Sequence, residues 1–441
     1  CLVAGGKGRA MITANIVLVS VFLALLLVGS PIAVSLGLAG FAAIAAGLDV
    51  NALQSVAQIT YNSINKYPLI AIPLFVLTGV VFERAGVAAR LVTFMQAIVG
   101  PRRGGLAIVA ILVCMILGGM SGSGPADAAA VATIMIPSMR RAGYPDAFSA
   151  SVIAAGASTA ILIPPSLALI IYGVLVPGTD LRSLFAAGLV PGLLVGLALI
   201  IPTLWISRKN GFDACEGEKR PPFWRSFWQA LPGLFAPVII LGGMRSGLFT
   251  PTEAAAVAAV YGLVVGFVAR AFSLKGIFEV LAESAETTAV IMIIIALAGL
   301  FAFAGSTLGA FDQAANAILA FTGDPLIVLG LVMVLILFLG MLLDGPSIYL
   351  ISLPLLYPVA LKLGWNLTWF GVLIAINIAI GQVTPPVAVN LFVTCKIAGV
   401  PIEATVHWVL WFIFSMAVVL ILVIAFPELA LWLPRYLGYS V

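Results

Sequence analysis

Residues 118–125 read Gly-Gly-Met-Ser-Gly-Ser-Gly-Pro, and residues 339–346 read Leu-Gly-Met-Leu-Leu-Asp-Gly-Pro. Each segment lies in the middle of a long apolar stretch. Each also places a glycine and a proline where a regular helix is unlikely to continue. These two interruptions inside apolar sequence are the features from which the fold can be predicted.

The composition around them indicates a membrane protein. Hydrophobic residues make up 63% of the 441 positions, and charged residues make up 9%. An ordinary soluble domain carries about a quarter charged residues, so this chain has too little polar surface to face water. Stretches such as 184–206, 227–244 and 408–426 reach the length that a helix needs to cross the hydrocarbon. We therefore predict an all-α polytopic membrane protein, and the net charge of +4 suggests no nucleic-acid partner.

Basic residues indicate how the spans are oriented, because lysine and arginine concentrate in cytoplasmic loops. We place the arginine pairs at 102–103 and 140–141 and the polar loop at 208–226 on the cytoplasmic side. The stretch at about 106–138 then begins and ends inside, whereas the stretch at about 326–359 lies between two external ends. Both are predicted to be re-entrant helical hairpins, one entering from each side, since broken backbone at membrane depth must be buried or line a cavity.

The N-terminal part leaves two topologies open. Residues 1–10 are rich in glycine and carry two charges, and Met11 opens the first apolar run, so we interpret 1–10 as a linker or a non-native start. The stretch 17–48 forms either one long kinked span or two spans. Only the single span places Lys7 and Arg9 on the expected cytoplasmic side.

The two hairpins resemble copies of one unit. A constant offset of 221 positions aligns their glycines and prolines without a gap. The aligned pairs are Gly119 with Gly340, Met120 with Met341, Gly124-Pro125 with Gly345-Pro346, Pro137 with Pro358, and Pro164-Pro165 with Pro385-Pro386. Proline occupies only 26 of 441 positions, so four aligned proline pairs argue against chance. The topology makes the repeat inverted, and inverted repeats with paired broken helices indicate a transporter binding site.

The repeat divides the chain into a transport part and a scaffold. The predicted segments are the start at 1–10, scaffold helices at 11–65, the first transport repeat at 66–180, scaffold helices at 181–286 with the loop 208–226, the second transport repeat at 287–400, and a C-terminal scaffold helix at 401–441. Within the repeats, the broken helices are predicted at about 147–176 and about 368–395.

Broken helices offer two kinds of binding group. The free N–H groups at a half-helix start carry positive partial charge and suit an anion, and the free carbonyls at a half-helix end can ligate Na⁺. Hydroxyl, amide and carbonyl oxygens are hard ligands of the same kind. The candidate ion- and substrate-binding residues are Ser121, Ser123, Gly156, Ser158, Pro164, Asp344, Gly345, Asn377, Gly381, Thr384, Pro385 and Asn390.

Asp344 is the sharpest candidate, because an ionisable residue inside the membrane is costly and by default functional. Its alternative role is to cap the helix that Pro346 opens, and both roles can hold together. Ser121 and Ser123 could instead satisfy the hairpin's own backbone. Asp127 is interpreted chiefly as a partner of a helix N-terminus. Glu83 is assigned to the membrane interface, on an arm helix.

Six motifs together are typical of one family. They are Gly-Gly-Met-Ser-Gly-Ser at 118–123, Ile-Met-Ile-Pro at 134–137, Ile-Leu-Ile-Pro-Pro-Ser at 161–166, Thr-Pro-Thr-Glu-Ala at 250–254, Leu-Asp-Gly-Pro at 343–346, and Gly-Gln-Val-Thr-Pro-Pro-Val-Ala-Val-Asn-Leu-Phe at 381–392. From Met11 onward the chain resembles the large membrane subunit of tripartite ATP-independent periplasmic (TRAP) transporters. The family often has a hydroxyl within two residues of the hairpin aspartate, whereas here the first is Ser347.

The resemblance implies partners and an energy source. It implies a small four-helix membrane subunit, a periplasmic substrate-binding protein, and a small organic acid or related solute imported by Na⁺-driven elevator movement through the lipid bilayer of the inner membrane. It also implies Na⁺ near Ser121 and Ser123 and near Asp344 and Thr384.

Three other functions were weighed against this one. The main alternative is a stand-alone ion-coupled carboxylate transporter or antiporter without a binding protein. An intramembrane enzyme is disfavoured because the sequence has no convincing His/Asp, Ser/Lys or metal-binding constellation. A channel is disfavoured because inverted repeats of broken helices suit alternating access.

Overall fold

The computed structural model describes the chain except Cys1, Asp49 and residues 213–219, and it leaves the side chains of 2–10, Val50, Asn51, Leu274 and Phe321 undescribed. Part of the predicted start at 1–10 and of the predicted loop at 208–226 therefore lies outside the described residues. The described residues form helices joined by short turns, with no β-strand. The predicted all-α polytopic fold is confirmed.

Three helices, at 71–84, 87–99 and 310–321, fall within the predicted transport repeats although they belong to no hairpin or broken helix. In all, thirteen α-helices of the described residues lie outside the hairpins and broken helices. They are α1 (Leu2–Leu27), α2 (Ile32–Gly47), α3 (Val50–Gln54), α4 (Val56–Ile64), α5 (Ala71–Arg84), α6 (Val87–Val99), α11 (Leu181–Asn210), α12 (Phe223–Arg245), α13 (Pro251–Val268), α14 (Leu274–Thr307), α15 (Ala310–Phe321), α20 (Val406–Ala425) and α21 (Glu428–Tyr436). Among the described residues, six helical segments are long and apolar enough to cross a membrane. Thr250 and Glu253 form a capping box at the start of α13.

The hairpins and broken helices are shorter elements. The first hairpin is α7 (Gly105–Ser121) with α8 (Gly124–Arg141), and the second is α16 (Pro325–Gly340) with α17 (Gly345–Lys362). The broken helices are α9 (Asp146–Ser158) with α10 (Leu167–Leu175), and α18 (Leu367–Gly381) with α19 (Val389–Ala398). Each predicted interruption therefore separates two helices.

The backbone reproduces the 221-residue offset in detail. α8 and α17 begin at Gly124 and Gly345 and end at Arg141 and Lys362, which are equivalent positions. The Pro164–Pro165 and Pro385–Pro386 peptide bonds are both cis. α8 packs against α19, and their counterparts α17 and α10 pack against each other. Such reciprocal pairing is what a two-fold relation between the copies requires.

Two predicted boundaries differ from the structure, and the structure decides between the two alternatives left open for the stretch 17–48. The boundary between 286 and 287 falls inside α14, which corresponds under the offset to α4 and α5 together and has no proline at the position of Pro68. The stretch 17–48 forms two helices, α1 and α2, which pack against each other. The single C-terminal scaffold helix is wrong, because the helix ends at Ala425 and a second begins after Pro427, whose missing N–H interrupts the ladder.

Backbone contact joins each hairpin to its broken helix. A methyl group built on Gly381 would lie 2.5 Å from Gly340 Cα, and one built on Gly118 would lie 2.7 Å from Ala160 Cα. Position 160 is the counterpart of Gly381. Small residues allow this close approach where apolar side chains gain little by leaving lipid.

We predict that Gly381→Ala lowers the thermal stability of the purified protein. The added methyl meets backbone rather than a flexible side chain, and overpacking of this kind costs ~1–3 kcal/mol. The measurement is Tm in detergent. Gly330→Ala in α16 is the control, because a methyl there meets nothing within 4 Å. An unchanged Tm for Gly381→Ala would show that the helices approach less closely.

Candidate binding site at the hairpin tips

A cavity of about 480 Å³ lies where the two hairpin tips meet the break between α18 and α19. Its polar lining includes Ser121, Ser123 and Asp127 from the first hairpin, Asp344 from the second, and Gln382 from the break. Small-molecule sites typically occupy roughly 300–1,000 Å³, so the cavity can hold a small solute. The two tips therefore contribute to one site.

The first tip is held by its own side chains. Ser121 Oγ donates a hydrogen bond to Asp127 Oδ1 at 2.7 Å and accepts one from the Ser123 N–H at 3.2 Å. Gly122 has a positive φ of 62°, and a methyl there would lie 2.6 Å from Pro165 O. The structure thus bears out the local role considered for Ser121. Asp127 is only 3% exposed, and its Oδ2 has no hydrogen-bond partner.

The second tip carries its carboxylate at the break itself. Asp344 occupies the N-cap position of α17, but its side chain makes no capping hydrogen bond. Instead Ser347 Oγ donates to Asp344 Oδ1 at 2.5 Å. One helical turn therefore returns the hydroxyl of Ser347 to the aspartate, although Gly345 and Pro346 separate them in sequence.

Gln382 lies between the two tips. A methyl on Gly124 would lie 3.0 Å from Gln382 Oε1, and one on Gly345 would lie 3.7 Å from Gln382 Nε2. Asn390 closes the same region, with its Nδ2 2.9 Å and its Oδ1 3.0 Å from that Gly124 methyl position. Both side chains are at most 2% exposed. Gln382 Oε1 and both polar atoms of Asn390 have no partner within the described chain.

Three glutamates complete the lining from the arm helices. Glu83 belongs to α5, and Glu283 and Glu286 belong to α14. A methyl on Gly79, one turn before Glu83, would lie 3.1 Å from Ser121 Cα, so this face of α5 abuts the first tip. Arg84 forms an ion pair with Glu283 at 2.8 Å. The assignment of Glu83 to an interface missed that its side chain lines the cavity.

The predicted site residues divide into two groups. Ser121, Ser123, Asp344 and Gly345 line the cavity, and Asn390 lies beside it. The others lie in the surrounding packing and do not line it, and they are Gly156, Ser158, Pro164, Asn377, Gly381, Thr384 and Pro385. Several of these side chains donate hydrogen bonds to backbone carbonyls. Ser158 donates to Ala155 O, Asn377 to Met333 O, and Thr384 to Ile380 O.

Five polar lining residues were missed from the candidate set. Gln382 stands inside a motif quoted from the sequence, and its amide at a helix break was an available signal. Asp127 carried the signal of an ionisable residue inside an apolar stretch, but it was interpreted chiefly as a partner of a helix N-terminus. Glu83, Glu283 and Glu286 carried no such signal, because their approach to the cavity depends on how separate helices pack.

The donor set suits a hard monovalent cation. Asp127 Oδ2, Gln382 Oε1 and Asn390 Oδ1 are buried oxygens without a partner, and such groups are costly unless a bound species satisfies them. Among the described residues, no cluster of three or more His, Cys, Asp or Glu side chains forms a metal-binding group. Carboxylate and amide oxygens of this kind are ligands for hard cations in general, and Na⁺ at the tips stays a prediction from the resemblance.

Opposed hairpins and broken helices around one central cavity define a membrane transport protein. The chain belongs to the DctM component family of the tripartite ATP-independent periplasmic transporters, whose family model matches residues 19–429. It is a multi-pass protein of the bacterial inner membrane. Its relatives in this family are permeases, a class that is not enzymatic.

Individual proteins show the same relationship. The chain is 40% identical over 407 residues to the C4-dicarboxylate TRAP transporter large permease protein of Pseudomonas aeruginosa, covering 92% of this chain and 95% of that protein. It is 38% identical over 421 residues to an isethionate TRAP transporter permease of Oleidesulfovibrio alaskensis, covering 94% of this chain but 66% of that longer protein. The crystal structure of the YdaH transporter of Alcanivorax borkumensis shares the fold, with a TM-score of 0.63 at 14% identity over 86% of this chain and 90% of that one.

We predict that a cysteine at Ser123 reacts with a small water-soluble thiol reagent much faster than a cysteine at Ser158. Ser123 lines the cavity, whereas Ser158 is fully buried beside it. The measurement is labelling rate by mass spectrometry, in a background with the four native cysteines replaced by serine. Equal rates at the two positions would contradict the cavity described here.

Proposed function

We propose that this chain is the large subunit of a Na⁺-driven importer. It receives an organic acid or related small solute from a periplasmic binding protein and binds it in the cavity between the hairpin tips. The observation that carries the proposal is the convergence of both tips and Gln382 on one cavity lined with hard oxygen ligands. Family membership supports the class of protein.

The proposed ion sites follow the asymmetry of the tips. One Na⁺ binds near Ser121 and Ser123, where the unpartnered oxygens of Gln382, Asn390 and Asp127 offer further ligands. A second binds near Asp344 and Thr384. The Thr384 hydroxyl donates its hydrogen to Ile380 O, which leaves its lone pairs free to accept a cation. Na⁺ bound at both tips would neutralise the negative charge that the tip carboxylates carry when no ion is bound.

The proposed movement is an elevator, in which the hairpins and broken helices shift together against the scaffold. Cross-packing of α8 with α19 and of α10 with α17 supports this, because it ties the two repeats into one unit. Contact between that unit and the arms includes the close approach of Gly79 to Ser121. A glycine there leaves a smooth surface over which the tip can slide.

The proposed partners are a small four-helix membrane subunit and a soluble binding protein. The family description names one component of a three-part transporter, and it supports both. The proposed energy source is an ion gradient, which the family description of an ATP-independent transporter supports. Lipid surrounds the exposed apolar faces of the scaffold.

Replacing Asp344 by alanine is expected to abolish Na⁺-driven uptake while the protein remains folded. The change removes a half-buried carboxylate at the tip, and a buried charge-assisted contact is worth ~1.5–3 kcal/mol. Uptake is measured in proteoliposomes with the small subunit and the binding protein, under an imposed Na⁺ gradient. Asp312→Ala is the control, because Asp312 is exposed in α15 and forms only a long 3.7 Å ion pair with Lys362.

Unchanged uptake by the Asp344 variant would remove this carboxylate from ion coupling. Uptake by the unmodified protein without any soluble component would identify a stand-alone transporter instead.

Replacing Asn390 by leucine tests whether Asn390 is a Na⁺ ligand or only a packing residue. Its two buried polar atoms lack partners, and each such group costs ~1–3 kcal/mol, so leucine should keep or raise Tm in KCl. The same change should remove the extra stabilisation by NaCl, because ligand binding to the folded state raises Tm. A full Na⁺-dependent Tm increase in the variant would exclude Asn390 as a ligand. Thr394→Val, one turn further along α19, is the control.

A further inference from the structure

The lining of the cavity is unusual in its charge. Within the described part of the chain it includes five carboxylates and no lysine, arginine or histidine. The carboxylates are Glu83, Asp127, Glu283, Glu286 and Asp344. A site for a dianion requires positive groups in direct contact, since like charges in a partly desolvated cavity repel strongly.

Three of the five carboxylates have a compensating positive group. Asp127 lies in the first turn of α8 and Asp344 at the N-cap of α17, where each faces the positive end of a helix dipole. Glu283 is paired with Arg84 at 2.8 Å. In the part of the chain that the structure describes, Glu83 and Glu286 form no ion pair, and of the two only Glu83 lies near a cation, because Arg84 acts on it electrostatically.

The charges come from two parts of the chain. The hairpin tips offer two helix N-termini, the hydroxyl of Ser123 and the amide of Gln382, which can receive a carboxylate together with Na⁺. The arm helices offer Glu83 and Glu286 to the same lining, and Glu83 is near enough to Asp127 to act on it electrostatically. Asp127 and Gln382, each at least 97% buried with an unpartnered oxygen, indicate that the tip side is built to bind something.

We propose that the transported solute is an amino-acid-like zwitterion. Its carboxylate faces the hairpin tips, and its protonated amine donates hydrogen bonds to Glu83 and Glu286. A protonated amine fits better than a quaternary ammonium, because Phe82 is the one aromatic side chain in the lining and an aromatic cage needs several. This inference rests on the proposed function and names the substrate class for the same cavity.

The proposal separates this chain from the solutes named for two of its relatives. Isethionate and C4-dicarboxylates carry negative charge without a cationic nitrogen. Bound here, the second carboxylate of a dicarboxylate would face Glu83 and Glu286, with no positive side chain in the lining to receive it.

Matched probes of equal chain length test the charge preference. γ-Aminobutyrate and succinate are unbranched four-carbon acids whose second charged group is an ammonium in the first and a carboxylate in the second, and β-alanine and malonate form a shorter, three-carbon pair. Thermal stabilisation of the purified permease complex by each probe is measured in NaCl. The amine of each pair should stabilise the complex at concentrations at least about tenfold lower than the diacid.

Substitutions on the arm helices test whether their glutamates determine that preference for the amine probes. Glu83→Gln and Glu286→Gln should each weaken amine binding about tenfold, and Glu286→Lys should shift the preference toward succinate. Glu279→Gln is the matched control, since Glu279 is exposed on the same helix and does not line the cavity.

Stabilisation by succinate in preference to γ-aminobutyrate, or by neither amine, would overturn the inference. An unaltered amine preference in both glutamine variants would overturn it as well. Stabilisation by NaCl over KCl, measured without probe on the same samples, reports separately on the proposed Na⁺ coupling. The substrate class can therefore fail while the proposed function stands.

Discussion

Among the described residues, four helices end and four begin at interruptions inside apolar sequence, where bulk water does not reach the free C=O groups of the first four or the free N–H groups of the second four. Unsatisfied backbone groups in hydrocarbon cost several kcal/mol each, roughly the stability of a whole small domain when a few are summed. The interruptions at 122–123 and 341–344 are tolerated because they are packed against broken helices. Gly122 against Pro165 and Gly340 against Gly381 are the contacts that bring the backbones together. The cavity lies where the hairpin tips pack against the break between α18 and α19.

The two repeats share a backbone but not a chemistry. Equivalent helices begin and end at equivalent positions, and both Pro-Pro bonds are cis. The side chains at the tips differ, with Ser123 opposite Asp344 and Ile161 opposite Gln382 under the offset. Both Ile161 and Gln382 line the cavity, so one side of it is apolar where the other carries an amide. The repeated backbone thus forms the cavity, and the side chains that differ between the two repeats make one side of it more polar than the other.

The arm helices depart from the repeat as well. In the first half, Pro68 separates α4 from α5, whereas their counterparts in the second half form the continuous α14. α5 and α14 pack against each other and bring Glu83, Arg84 and Glu283 to the edge of the cavity. A solute in the cavity would therefore contact α5 and α14 as well as the hairpin tips.

The sequence by itself determined the fold class, the two hairpins, the broken helices and the repeat. Those features depend on local rules, since clustered glycine and proline disfavour a continuous helix, whereas single prolines such as Pro191 and Pro202 lie inside α11. It also identified Ser121, Ser123, Asp344 and Gly345, because residues at a break must lie at its tip. Only the tertiary structure decided that Asn377 and Thr384 bond to neighbouring backbone, that Gln382 lies between the tips, and that Glu83 and Glu286 line the cavity. The reason is physical: which side of a helix faces a cavity is set by the rotation and contacts of several helices at once. In a chain this apolar, hydrophobic periodicity does not encode that rotation.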